Sequence, residues 1–169
     1  MTLPFPAPTA PASDRSEVFL RYLDYFRETV MVKAAALPES EQRKSRLPSG
    51  WTPLELLKHL RYMERRWLEW GFAGRAVLDP WGEERDGRWH VEPSETLESL
   101  TAELRDQGAR TRGAVADADL STVGAPGPRW NGAPPATLER VLFHVLQEYA
   151  RHLGHLDVVV ELSGGPTGE

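Results

Sequence analysis

The sequence contains no cysteine. Disulfide bonds and thiolate metal ligands are therefore excluded, and a nucleophile supplied by the chain itself must be another kind of residue. Imidazole and carboxylate groups remain as metal ligands. Any thiol that takes part in the chemistry must come from a small-molecule partner.

An excess of positive charge is also missing. The formal net charge is −5, and the basic residues, of which 17 of 20 are arginine, are interleaved with acidic ones. This pattern argues against a nucleic-acid-binding surface. No apolar run approaches the roughly 18–20 residues of a membrane span, so a membrane partner is not expected either.

The N-terminal residues lack the basic start and apolar centre of a secretion signal. Residues 1–13 instead contain four prolines and neither Lys nor Arg. We expect these residues to form a flexible leader and the protein to be cytoplasmic.

The rest of the sequence is dominated by helical periodicity. A chain of 169 residues is long enough for one domain with its own core, which we place at residues 14–164, followed by a short tail at 165–169. Four helices are predicted from the spacing of apolar residues, over about 14–37, 52–70, 94–116 and 137–164. Their predicted N-caps are Ser13, Thr52, Ser94 and Thr137.

The clearest helix start is the segment Thr52-Pro53-Leu54-Glu55. It combines a capping box with proline at the first helical position. Two long loops, 71–93 and 119–135, separate the later helices, and no convincing strand pattern is present. The sequence therefore predicts an all-α fold, a four-helix bundle with long connecting loops that suit crossover connections.

The last predicted helix carries polar groups on its apolar stripe. The apolar members of the stripe are Val141, Val145, Leu156 and Val159, and the metal-capable ones are His144, Glu148, His152 and His155. Helical residues three or four apart lie about 5–6 Å from each other. Glu148 and His152 can therefore bind one ion together. Polar groups on a core-facing stripe are costly unless they are paired or ligated, which indicates a site.

His59 on the second predicted helix can complete this set from across the bundle, because bundle cores build metal sites from facing helices. Three protein ligands leave positions open for water or substrate, as in catalytic zinc sites. Imidazole and carboxylate suit Zn²⁺, Ni²⁺, Fe²⁺ or Mn²⁺. His59 also fits a core-boundary position without a metal. The roles of His90, His144 and His155 stay open, with hydrogen bonding or ligand orientation as alternatives for the last two.

Three segments carry a family resemblance: residues 49–53 leading into 57–60, residues 64–67, and residues 148–155. In these segments the chain resembles the DinB/YfiT-like metalloenzyme superfamily, in the actinobacterial branch related to mycothiol-dependent enzymes. The resemblance spans about 14–164. It implies a four-helix bundle with a three-ligand divalent metal site. The ligand from the second helix matches His59, and the two ligands on the last helix match Glu148 and His152.

The resemblance also bears on activity. The mycothiol-linked maleylpyruvate isomerase of this superfamily likewise has Glu at the first ligand position of the last helix. It has an additional C-terminal domain for substrate binding, whereas this chain ends about five residues after its last predicted helix. The resemblance therefore implies a small-thiol S-transferase rather than an isomerase. It further implies Zn, Ni or Fe, mycothiol or another low-molecular-weight thiol, an electrophilic substrate and a homodimer.

Three functions remain in competition. The first is metal-dependent thiol transfer, in which a coordinated thiol is deprotonated and attacks an electrophile. The second is metal-dependent hydrolysis by metal-bound water, with Glu55 as base; Glu55 also fits a purely capping role. The third is a non-catalytic helical binding or stress-response protein, in which His59, Glu148 and His152 form only a hydrogen-bond cluster.

Further candidates are assigned less specifically. His155, like Glu55, is a candidate catalytic residue. The candidates for thiol binding are Trp81, Trp89 and Arg151, and Trp70 and Phe72 are candidates for lining a pocket. The two loop tryptophans, Trp81 and Trp89, also fit a role in which they only cover one end of the bundle.

Overall fold

The computed structural model describes residues 3–165, and most of them are helical. The α-helices are α1 (Arg15–Ala36), α2 (Glu39–Gln42), α3 (Pro53–Arg65), α4 (Leu97–Val115) and α5 (Leu138–Leu162). The all-α bundle prediction is confirmed. Of the predicted leader and tail, residues 1–2 and 166–169 lie outside the described residues.

Shorter elements interrupt the connections. A π-helix (Arg66–Phe72) continues α3, and a 3-10 turn (Pro128–Trp130) precedes α5. The loop between α3 and α4 contains an antiparallel hairpin of two short strands, β1 (Glu84–Arg85) and β2 (Arg88–Trp89). The sequence pattern did not predict this hairpin, because two-residue strands are too short to show an alternation.

The start of α3 is the predicted one. The Thr52 hydroxyl accepts a hydrogen bond from the Glu55 backbone N–H at 3.3 Å. The Glu55 carboxylate in turn accepts one from the Thr52 backbone N–H at 2.7 Å. Pro53 occupies the first helical position, where its missing N–H costs nothing.

Two of the predicted N-caps are wrong by one or two residues. Asp14, not Ser13, caps α1, because its carboxylate reaches the Glu17 backbone N–H at 2.9 Å. Thr96, not Ser94, caps α4, where its side chain and that of Ser99 form a reciprocal capping box. In both cases the capping residue immediately precedes the helix, and its side chain accepts a hydrogen bond from the backbone N–H three residues later.

The four long helices form the bundle. α1 packs along α4 and α5, and α3 also packs against both of them. α1 and α3 thus face each other diagonally across the core, as do α4 and α5. Of the two long loops, the one from α4 to α5 therefore crosses between diagonal helices, whereas the one from α3 to α4 joins neighbours. Leucine, valine and methionine side chains from all four helices fill the centre.

A buried ion pair lies within this apolar core. Glu64 on α3 is fully buried, and Arg27 on α1 donates to its carboxylate at 2.9 Å. The Tyr149 hydroxyl on α5 donates to Glu64 at 2.6 Å, and the Thr111 hydroxyl on α4 also donates to it. We call these four residues the core clasp. One residue from each long helix thus meets at a single carboxylate.

The described part of the N-terminal leader lies against α1. The Phe5 ring packs edge-on to Tyr22 and Tyr25, with centroids 5.9 Å and 5.2 Å away. The Pro11 carbonyl accepts a hydrogen bond from Arg21 at 2.6 Å. Within residues 3–165, each helix is too short or too polar to cross a lipid bilayer.

Candidate metal centre

Three of the predicted site residues come together where α3 faces α5. Each of His59, Glu148 and His152 offers a ligand atom, and these atoms lie within 4.8 Å of one another. The local part of this arrangement follows from helix geometry, since Glu148 and His152 are one turn apart and His152 Nε2 lies 3.3 Å from Glu148 Oε2. Packing of α3 on α5 brings His59 to them.

The donor set fits a divalent transition metal. Two imidazoles and one carboxylate are ligands that Zn²⁺, Ni²⁺ and Fe²⁺ accept. A tetrahedral ion with bonds of about 2.0–2.2 Å holds its ligand atoms roughly 3.3–3.6 Å apart, so side-chain rotation would have to draw these atoms closer together around the ion. Both ring nitrogens of His59 and Nδ1 of His152 are buried without a hydrogen-bond partner. Buried polar atoms in this state are costly, and an ion bound by His59 would satisfy one of its two nitrogens.

The protonation state of His152 also suits metal binding. Burial lowers the pKa of His152 to about 3, and the neighbouring His59 and His155 add to the effect. His152 is therefore a neutral imidazole at neutral pH, which is the form that binds metals.

A carboxylate on the loop stands behind His59. Glu83 is fully buried, and its Oε1 lies 3.5 Å from His59 Nδ1. The same oxygen forms an ion pair with Arg66, which also donates to the Pro80 carbonyl at 3.0 Å. Burial on its own raises the pKa of Glu83, but the contacts with His59 and Arg66 lower it overall. Glu83 is thus an anion that favours a proton on Nδ1 and leaves Nε2 of His59 free for a metal.

Sequence reasoning did not identify Glu83 or Arg66. Glu83 and Glu84 stand side by side in an irregular loop, and nothing in the sequence distinguishes the buried residue from the exposed one. The distinction depends on how the hairpin folds back over α3. Arg66 begins the π-helix, whose position the apolar periodicity did not predict.

The hairpin covers the other side of His59. The Trp89 ring stacks on the His59 imidazole, with centroids 4.0 Å apart and planes 19° apart. Trp89 also lies 5.5 Å from the His152 ring. Trp89, predicted as a candidate for thiol binding, therefore contacts two of the three candidate ligands.

Beside Trp89 is a cavity of about 350 Å³, lined by Ser49, Gly50, Trp51, Glu55, Gly87, Arg88 and Trp89. The Trp51 ring lies 6.4 Å from Trp89 and 6.3 Å from His155. His155 is half-buried, and its ring centroid is 5.6 Å from that of His152. This cleft therefore borders the candidate metal centre on the side of His155.

On the opposite side of Glu148 lies His144. His144 Nε2 is 3.8 Å from Glu148 Oε1, and its ring packs on Trp67 at 4.4 Å. Burial lowers the pKa of His144, while Glu148 opposes that effect. Trp67 in turn carries the Arg129 guanidinium over its face, 3.8 Å from the ring centroid. These residues flank the candidate ligands without belonging to the cluster.

The remaining predicted residues lie outside the cluster. Trp81 is 44% exposed and stacks with the Arg66 guanidinium at 4.0 Å. Arg151 is exposed on α5, and its charge reaches His152. His90 directly follows β2 and is half-buried, with its Nε2 3.4 Å from Glu92 Oε1. Phe72 lines a separate cavity of about 250 Å³ against α4, and Trp70 is half-buried on the π-helix.

Comparison with known proteins gives the chain a family. No curated protein sequence matches it. The family described as mycothiol-S-transferase, however, matches residues 18–165, which include all but the first three residues of the four long helices, the hairpin and the three candidate ligands. The match extends over most of the 169 residues. This chain therefore belongs to the mycothiol-S-transferase family.

Proposed function

We propose that the protein is a metal-dependent S-transferase that joins mycothiol, or a similar small thiol, to electrophilic small molecules. His59, Glu148 and His152 are the metal ligands in this proposal. The observation that carries it is the meeting of these three side chains from two helices, with buried ring nitrogens left without partners. Membership of the mycothiol-S-transferase family supports the thiol and the reaction class.

The residues around the ligands have distinct tasks in this proposal. His59, Glu148 and His152 would hold a divalent ion, and the chemistry it would supply is a lowered pKa of a thiol bound there. Glu83 fixes the orientation of His59 through Nδ1. The Trp89 ring shields His59 from water on one face. We assign to His155 the task of accepting the thiol proton, because it lies beside His152 and is still partly open to solvent.

The overall reaction balances without a further reactant. The sulfur forms a bond to the electrophilic carbon, and the leaving group departs with its electron pair. The proton of the thiol passes to His155 and then to solvent. The chain supplies no cysteine of its own, so the sulfur comes entirely from the small thiol.

The hydrolase alternative receives less support from the geometry. Glu55, its proposed base, accepts a hydrogen bond from the Thr52 backbone N–H at 2.7 Å and completes the capping box. A carboxylate in that position already has a structural task. No contact of the described residues specifically favours a non-catalytic role over transfer.

The test combines metal content with transfer activity. Purified wild-type protein, loaded with Zn²⁺ and desalted, is analysed by elemental mass spectrometry and then assayed with mycothiol and chlorodinitrobenzene. We expect about one equivalent of zinc and mycothiol-dependent loss of chloride. His152→Ala and Glu148→Gln should lose both. Binding of no metal by the wild type, after loading with Zn²⁺, Ni²⁺ or Fe²⁺ in turn, would refute the proposal.

Glu161→Gln is the matched control for Glu148→Gln. Glu161 is also on α5 but is exposed at the far end of the helix. The control should keep the metal and the activity of the wild type. Equal losses in the two variants would mean that the effect arises from α5 in general and not from the candidate centre.

A further inference from the structure

Arg129 is a half-buried cation beside the candidate metal centre that has no acidic partner. Its Nε atom is buried without a hydrogen-bond partner, and no ion pair involves Arg129 within residues 3–165. Arginine side chains this close to a core are ordinarily paired with a carboxylate. The free guanidinium therefore needs an explanation.

The position of Arg129 is fixed by packing. It belongs to the 3-10 turn that precedes α5, and its guanidinium lies flat over the Trp67 ring at 3.8 Å. The neighbouring Trp130 donates from Nε1 to the Ala125 carbonyl at 2.9 Å, which anchors the turn. Gly71 leaves room for the side chain, since a Cβ there would lie 3.3 Å from Arg129 Cγ. Arg129 is thus held in place before any ligand arrives, which lowers the entropy cost of binding.

The contacts lead from Arg129 to the candidate ligands. Trp67, under the guanidinium, packs on His144 at 4.4 Å, and His144 lies 3.8 Å from Glu148. The one carboxylate in this series is Glu148, whose charge a bound metal would neutralise. Three successive contacts thus link Arg129 to Glu148.

Arg66, the other arginine nearby, already has an acidic partner. Arg66 is paired with Glu83 and bonded to the Pro80 carbonyl. Burial, and secondarily the charge of Arg66, lower the pKa of Arg129. Both effects disfavour a positive charge without a counter-ion at Arg129, and an anionic group on a ligand would relieve both.

We infer that Arg129, stacked on Trp67, binds a carboxylate or similar anionic group of the electrophilic substrate and so selects acidic electrophiles. This inference rests on the proposed transferase function. A planar guanidinium pairs with a carboxylate through two parallel hydrogen bonds, and stacking on Trp67 holds the Arg129 guanidinium in place for that pairing. An electrophile held by Arg129 would lie on the His144 side of the three residues that would hold the metal.

The test uses two electrophiles that differ only in charge, chlorodinitrobenzoate and chlorodinitrobenzamide. In both, sulfur replaces chlorine and chloride leaves with the electron pair. We expect the zinc-loaded wild type to favour the benzoate in kcat/KM by tenfold or more, since a charge-assisted bidentate pair has about that effect. Arg129→Met should lose this preference, so that the ratio of kcat/KM for the two electrophiles approaches one. Arg129→Lys should keep part of it.

A second measurement separates this inference from the transferase proposal. Dinitrobenzoate and dinitrobenzamide lack the leaving group, and their binding is followed by calorimetry with zinc-loaded protein and no thiol. Selective benzoate binding that disappears in Arg129→Met would support the Arg129 site even if no transfer occurs. Arg140→Met, which removes an exposed arginine on α5, is the matched control. Equal binding of the two compounds by the wild type, or equal losses in the two variants, would overturn the inference.

Discussion

Replacing Glu83 by alanine should damage both stability and metal binding, for separable reasons. The carboxylate is fully buried against Arg66, whose side chain is only 4% exposed. Removing one partner of a buried pair leaves the other charge buried without a counter-ion, which lowers the free energy of unfolding by about 3–5 kcal/mol. For a chain of this length that cost corresponds to a decrease in Tm of roughly 6–20 °C. Loss of the group behind His59 Nδ1 should also weaken zinc affinity by about 10-fold to 100-fold.

The double variant Arg66→Met with Glu83→Ala distinguishes these two effects. It also removes the unpaired charge of Arg66, so it should recover most of the stability while zinc affinity stays low. Stability is measured by urea unfolding of the metal-free protein, and zinc affinity by competition with a chromogenic chelator. Glu84→Ala is the matched control, because Glu84 is the next residue and is exposed. Zinc affinity in Glu83→Ala equal to that of the control would refute the orienting role of Glu83.

Two further predictions follow from single contacts, and a third follows from the family resemblance. Tyr149→Phe should destabilise the protein by about 1–3 kcal/mol in urea unfolding, because Glu64 loses a buried donor; an unchanged midpoint would contradict this. Trp89→Ala should weaken zinc binding about twofold to tenfold through loss of the ring stacked on His59, whereas Trp81→Ala, which touches no candidate ligand, should not. The predicted homodimer is tested by sedimentation equilibrium, where a single species near 19.0 kDa would rule it out.

The parts of the fold that depend on local rules could be predicted from the sequence. The capping box at Thr52 and the helical spacing of Glu148 and His152 depend only on residues within one or two turns. The structure therefore shows them as the sequence predicts them. The pairing of His59 with them needed one more step, the packing of two helices in a bundle. Family resemblance and bundle geometry indicated the same residue there.

The surroundings of the site could not be predicted in this way. Glu83 and Trp89 reach His59 from a loop whose path is set by a short hairpin and by an ion pair with Arg66. Arg129 reaches Trp67 from a separate loop, some sixty residues further along the chain. These contacts join distant segments with no periodic signal, so only the folded chain brings them together.

The core clasp also limits how this sequence can change over time. Arg27, Glu64, Thr111 and Tyr149 each satisfy a group on another helix, so a substitution at any one position leaves a neighbour without its partner. Apolar core positions tolerate exchange one at a time when volume is kept, but these four must be replaced together. Two of them lie close to residues of the site in the sequence: Tyr149 follows Glu148, and Glu64 is five residues after His59. Homologous sequences should therefore vary freely at the surface, while the four residues of the core clasp are either all kept or all replaced.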